Sequence, residues 1–190
     1  GLCVQYAPMA KYIRDNFTLS KPVYVLPTTL YEDVPETSSG RIRFTVPGQV
    51  EAERRDYDLV LDVFEELFEH HDDAISLHLL GRPNSEYGDR VVQRCETLAE
   101  RGHNVVSHRE WIPREEYDQT LRTSSVLLCP LRETISGRGV AESYGTTKGS
   151  GNVFDALRNA TPLVLPAYFV VDDIIERSAL SYNDAADLRA

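Results

Sequence analysis

From Arg41 onward the sequence alternates strand-length apolar runs with segments of helical periodicity, and this alternation restricts the fold more than any other feature. Residues 41–46 read as a strand that ends at the Pro47-Gly48 turn. Residues 54–71 read as a helix, because Leu59, Val60, Val63, Phe64, Leu67 and Phe68 recur at helical spacing. Further strands are expected at 75–80, 105–106, 125–128 and 163–165. Further helices are expected at 89–101, at 114–121, directly after Asn152, and at 171–177. Gly102 suits a helix C-terminus and Pro113 a helix start. Strands joined through helices need crossover connections, which produce a mostly parallel sheet covered on both faces. The expected class is α/β: a doubly wound, Rossmann-like sheet.

Residues 1–40 differ from the rest. A helix is expected at 6–16, a strand at 22–26, and a linker at Thr37-Ser38-Ser39-Gly40. The expected division is an interdomain segment or remnant of a preceding domain over 1–40, then the sheet domain over 41–190. The chain begins Gly1-Leu2-Cys3 without Met, and is expected to be a piece of a longer protein.

Charge narrows the partners. Thirty acidic residues against 20 basic ones leave a formal net charge of -10. A chain of this sign does not suit broad binding to nucleic acid or to an anionic membrane. Lys11, Lys21 and Lys148 are the only lysines; the remaining basic residues are Arg. An acid-rich, Lys-poor balance suits a high-salt cytoplasm, and a GC-rich genome would also favour Arg. Cys3, Cys95 and Cys129 form no CxxC pair, which reads as reduced thiols in a cytoplasm. Cys129 ends an apolar run and reads as a small core residue ahead of a nucleophile. The five histidines show no metal-ligand spacing, so no metal is expected. The longest apolar runs are too short to span a bilayer.

The loops at the carboxyl ends of the expected strands are 48–55, 81–84, 108–113 and 130–152, and ligands of doubly wound sheets sit there. The stretch Tyr144-Gly145-Thr146-Thr147-Lys148-Gly149-Ser150-Gly151-Asn152 is rich in glycine and runs into a helix start. Glycines permit close backbone approach, and a helix N-terminus presents free N–H groups with partial positive charge. With Lys148 as a mobile cation, the stretch suits a phosphate; an ordinary helix-capping loop is the plainer alternative. Gly48, followed by Arg54 and Arg55, suits the same ligand, since a guanidinium grips phosphate oxygens through two bonds. Equally, Arg54 and Arg55 could be solvated helix-end residues paired with Glu51 or Glu53. The order GxxxxGK[ST] of a P-loop is not met, because Lys148 precedes Gly149. A flavodoxin-like or receiver domain would cluster acids at the first strand ends, which this chain does not.

Several short motifs follow one another in a set order: the strand and Gly48 turn, the basic pair, Leu79-Leu80-Gly81-Arg82, Glu110-Trp111-Ile112-Pro113, Ser124 to Pro130, and Asp155-Ala156-Leu157-Arg158-Asn159-Ala160-Thr161-Pro162-Leu163-Val164. In this order they resemble the C-terminal, donor-binding domain of GT-B glycosyltransferases, nearest to the retaining glycosyltransferase 4 type. The resemblance covers about residues 41–185. It implies transfer of a sugar from a nucleotide-diphosphate sugar to an acceptor hydroxyl, without metal. The nucleotide-sugar is the donor substrate, so no separate cofactor is implied. On the resemblance Gly48 with Arg54 or Arg55 would hold the diphosphate, and the glycine-rich helix start read above would add the amides of Gly149, Ser150, Gly151 and Asn152. Gly81 and Arg82 fall beside them, and Trp111 and Ile112 fall where the base is contacted. Asp155 matches the second of the family's two carboxylates, which holds the ribose. The first falls on Thr147, which is no acid. Either Glu142 replaces it, or Lys148 and the Thr146 and Thr147 hydroxyls take over; Glu142 and Lys148 are therefore the catalytic candidates. The resemblance also implies a preceding acceptor domain in the same polypeptide, a domain that would carry any peripheral membrane contact, and a poorly active isolated donor half. The alternative is a module that binds a nucleotide or phosphosugar without catalysis.

Overall fold

The computed structural model describes residues 1–26, 40–137 and 139–190. Of the expected linker, residues 37–39 lie outside the described residues.

The first 26 residues form a small βαβ unit. Strand β1 (Leu2–Val4) leads to helix α1 (Ala7–Asn16), and strand β2 (Val23–Val25) returns parallel to β1. The unit docks on the rest through the Tyr6 hydroxyl, which donates to Lys148 O, and the Ala7 amide, which donates to the Asp172 carboxylate.

The remainder is built on strands β3 (Ile42–Pro47), β4 (Ile75–Leu80), β5 (Val105–Val106), β6 (Val126–Leu128), β9 (Leu163–Pro166) and β10 (Ala179–Tyr182). They form one six-stranded sheet in the order β5-β4-β3-β6-β9-β10, with every pair parallel. The chain runs outward from β3 through β4 to β5, then returns to the other side of β3 to lay down β6, β9 and β10. This is the doubly wound Rossmann order, and its direction reverses between β3 and β6.

Helices cover both faces, as the alternation requires. Helix α2 (Tyr57–His71) and helix α3 (Glu86–Glu100) lie on one face, joined by Leu188 of the short helix α6 (Ala185–Arg189). Helix α4 (Arg114–Arg122) and helix α5 (Gly151–Asn159) lie on the other. The two-residue period of the strands divides the core between them. Leu77, Leu79 and Leu128 pack with Phe64 and Phe68 of α2, whereas Leu80, Leu127, Leu163 and Leu165 face Val153 and Ala156 of α5. Each fully buried side chain of this size contributes about 1.5–3 kcal/mol.

Four local expectations are corrected. The 54–71 helix begins only at Tyr57, because the Asp56 carboxylate accepts the Leu59 amide and caps the helix there. The 89–101 helix begins earlier, at Glu86, capped by the Ser85 hydroxyl. The 171–177 helix is replaced by a 3₁₀ turn, Glu176–Ser178, and β10. Asp172 diverts its carboxylate to the amides of Ile174 and Ala7, and so favours a turn over a helix. Finally, the 130–152 loop contains an antiparallel hairpin, β7 (Thr134–Gly137) and β8 (Val140–Ser143).

Two glycines let the strand ends approach one another. Gly48 has φ +101, and a Cβ there would overlap the Arg55 guanidinium. A Cβ at Gly81 would overlap the carbonyl of Gly48, which is backbone and cannot swing aside. Gly81→Ala is therefore expected to destabilise the fold by about 1–3 kcal/mol, read from the shift of the urea midpoint.

Candidate functional site

Where the sheet reverses direction, two segments are stitched over the gap. The Asp56 amide donates to Pro130 O at 2.8 Å and the Arg132 amide donates to Arg54 O at 2.9 Å, so residues 54–56 run antiparallel to 130–132. Neighbouring side chains of an extended segment point to opposite sides. Arg54 turns outward and pairs with Glu51 at 3.1 Å. Arg55 turns inward and is 8% exposed.

The Arg55 guanidinium meets only neutral partners. Nη2 donates to Asn152 Oδ1 at 3.2 Å and Nη1 donates to Gln49 O at 3.4 Å, while Nε is buried without a partner. Among the described residues no carboxylate lies within 4.0 Å of it. Asn152 is the second residue of α5; its Nδ2 donates to Pro47 O at 3.2 Å, and its own amide is capped by Ser150 Oγ. A buried cation without a counter-ion, a positive-φ glycine turn and a helix N-terminus thus adjoin one another. Each of these features attracts negative charge.

An open cleft of about 520 Å³ extends from this point along the carboxyl ends of the strands. Gly48, Gln49, Leu80, Gly81 and Arg82 line it at the ends of β3 and β4. Trp111 and Ile112, from the loop after β5, form the lip. Trp111 is 75% exposed, with the Arg82 guanidinium 5.6 Å from its ring centroid. Arg114, Tyr117 and Asp118 of α4 face Asp155 and Arg158 of α5 across the far side. Burial raises the Asp155 carboxyl to about 6, the Asp118 charge adds to the rise, and Arg158, Arg55 and the Tyr117 hydroxyl hold it back. Arg114, Tyr117 and Asp118 had no motif to mark them in the sequence, and Arg158 lay inside the 155–164 motif without a role of its own. Their spacing on facing helix sides was the one available signal.

The structure therefore brings Gly48, Gly81, Arg82, Trp111, Ile112 and Asp155 around one continuous surface, with Arg55 and Asn152 buried behind the Gly48 turn. The remaining candidates sit elsewhere or are occupied. Lys148 Nζ donates to Glu142 Oε2 at 2.8 Å, so the two catalytic candidates neutralise one another outside the cleft lining. The Thr147 hydroxyl accepts from the Ser143 amide at 2.8 Å, and the amides of Thr146, Thr147 and Lys148 all turn back to Ser143 O. These amides are used within their own turn. Gly149 packs against Gln5 and Tyr6, and the Tyr6 hydroxyl donates to Lys148 O at 2.8 Å. Ser150 spends its hydroxyl as the α5 cap, and Gly151 opens onto unfilled space. Cys129 is buried and its thiol is pushed up to about 12, chiefly by burial, so it stays protonated. His78, half-buried in β4, is lowered to about 4 by burial and the nearby Arg43, and stays neutral.

No protein-family model and no curated protein matches the chain by sequence. Solved structures do match in three dimensions. The chain superposes over all of its length on 35% of the TarM chain, with a TM-score of 0.62 and 12% identity. It matches the C-terminal domain of a glycosyl transferase group 1 family protein (LpcC) from Francisella tularensis at TM-score 0.55 and 8% identity, over 82% of this chain and 73% of that one. This is the fold of a GT-B C-terminal domain. An E. coli trehalose-6-phosphate structure bound with UDP-2-fluoro glucose also matches, at TM-score 0.55 and 13% identity, over 79% of this chain and 35% of that one. The chain thus spans about a third of the TarM chain. No helix among the described residues is long and apolar enough to cross a membrane.

Asp155 makes a testable contribution to pH dependence. Its folded-state value, about 6, lies above its ordinary 3.8, so its neutral form favours the fold. That contribution is complete below pH 3.8 and is lost as the pH rises through about 6. Asp155→Asn is expected to be more stable than wild type at pH 8. The advantage should shrink towards pH 4, as read from urea midpoints at the two values.

Proposed function

We propose that this chain binds the diphosphate of a nucleotide-sugar and serves as the donor half of a glycosyltransferase. The observation that carries the reading is Arg55, a buried guanidinium with no carboxylate partner among the described residues, placed under the Gly48 turn and against the start of α5. A diphosphate there would complete the charge that the protein leaves open. The cleft then accounts for the rest of the molecule. Asp155 accepts from ribose hydroxyls, while Trp111, Ile112 and Arg82 frame the base. The solved structure with UDP-2-fluoro glucose, of the same fold, supports a nucleotide-sugar as the ligand class.

In the proposed chemistry the bond between the sugar and the diphosphate breaks, and the sugar passes to an acceptor hydroxyl with retained configuration. Negative charge gathers on the departing diphosphate. The Arg55 guanidinium and the α5 N-terminus are already aimed at that charge, so no reorganisation is needed as it develops. Acceptor groups would come from a preceding domain of the same polypeptide. The parallel pair β1–β2, with Leu2, Tyr24 and Val25 exposed, is a suitable place for that domain to attach. The proposed setting is the cytoplasm, where free thiols and soluble nucleotide-sugars coexist.

A second reading, binding without transfer, has one observation in its favour. Thr147 stands where the resemblance expects a carboxylate beside the sugar, and its hydroxyl is committed to Ser143.

Trp111 is the only tryptophan in the chain, so intrinsic fluorescence reports directly on the cleft. Titration with UDP-, GDP- and ADP-sugars is expected to quench it, and calorimetry should show heat with at least one of them. Arg55→Gln should weaken that binding at least tenfold, the loss expected for a charge-assisted bond to phosphate. No heat and no quenching with any member of the panel would reject the reading.

A further inference from the structure

We propose that Asn152 is a positioning residue: it aims the Arg55 guanidinium at the ligand with an uncharged amide, and so keeps that cation available. The inference rests on the diphosphate reading above.

The amide can sit only one way. Nδ2 faces Pro47 O, which can only accept, and Oδ1 faces Arg55 Nη2, which can only donate. Turning the amide over would set donor against donor and acceptor against acceptor. Asn152 is 4% exposed, so neither bond can be exchanged for water. Its backbone is fixed as well, because Ser150 caps α5 at that residue. Asn152 therefore links three parts of the site: the end of β3, the start of α5 and the inward arginine.

Its lack of charge matters as much as its position. A carboxylate in this place would lie within ion-pair distance of Arg55 and satisfy the cation internally. Both groups bonded to the guanidinium are neutral, the Asn152 amide and the Gln49 carbonyl, and the Cys129 thiol that bonds Asn152 is protonated. Asp155 feels the Arg55 charge but makes no bond to it. The pattern is one of neutral support with the countercharge left to the ligand. The Asn152 side chain would then touch no part of the nucleotide and act wholly through Arg55.

The quantity that isolates this role is the phosphate increment, the ratio of affinities for a nucleoside diphosphate and its nucleoside. UDP, GDP and ADP would be compared with uridine, guanosine and adenosine by Trp111 fluorescence and calorimetry. Wild type is expected to bind one diphosphate at least tenfold more tightly than its nucleoside. Asn152→Asp, one atom different in outline, should reduce that increment to threefold or less, with nucleoside affinity unchanged within threefold. A merely structural loss would weaken both ligands together. An increment that survives in Asn152→Asp overturns the inference while the diphosphate reading stands. Absence of diphosphate binding in wild type overturns both. Should Asn152→Asp not fold, Asn152→Ala carries the test. A lowered increment with nucleoside binding kept supports the role, and an unchanged increment rejects it.

Discussion

A guanidinium buried without a carboxylate partner among the described residues is the constraint around which this half of the molecule is arranged. Removing a charge from water is expensive unless dipoles or a counter-ion replace the lost hydration. Here two carbonyl-type oxygens and a helix terminus supply part of that replacement. Fitting the group in imposes conditions on its neighbours. Residue 48 must be glycine, since a side chain would occupy the guanidinium's space. Residue 81 must be glycine in turn, since it rests on the backbone of 48. Tyr57 lies beneath, fully buried, with its hydroxyl donating to Gln49 O at 3.1 Å. The Rossmann order supplies the room: only at the reversal between β3 and β6 do two loops part widely enough to admit such a group.

The cleft beyond this point is divided by chemistry. Near β3 it offers cationic and N–H character. Between α4 and α5 it offers two carboxylates, with Tyr117 and arginines to temper them. Asp155 stands where the two regimes meet, within the influence of Arg55 on one side and Asp118 on the other. A ligand with a multiply charged anionic end and a hydroxyl-rich middle fits that gradient better than a uniformly charged one.

The alternation of strand and helix was legible because apolar periods of two and of about three and a half are hard to confuse over long segments. The strand at 75–80 and the one at 105–106 match residue for residue. What failed was decided by partners far away in sequence. Val171, Ile174 and Ile175 have helical spacing, yet Asp172 is engaged with Ala7, on a different element. β10 is an edge strand with Leu180 exposed, and so lacks the continuous apolar run of a buried strand. In the 130–152 loop the hairpin buries Ile135 but leaves Val140 exposed, too weak a pattern to read. At the site, Arg54 and Arg55 were indistinguishable in sequence. The bridge to Leu131 decides which one points inward. Lys148 stood out as a rare lysine in a glycine-rich turn, and only the hairpin, which carries Glu142 to it, determines its partner.

The contacts of the first helix have a mechanical implication. Tyr6 grips the carbonyl of Lys148, and Ala7, at the start of α1, is tethered to Asp172 in the connection that follows β9. Both anchor points border the turn that feeds α5. The amino-terminal unit therefore cannot swing as a free flap. A rotation of it would have to break the bond from Tyr6 to the turn ahead of α5 and the bond from Ala7 to Asp172.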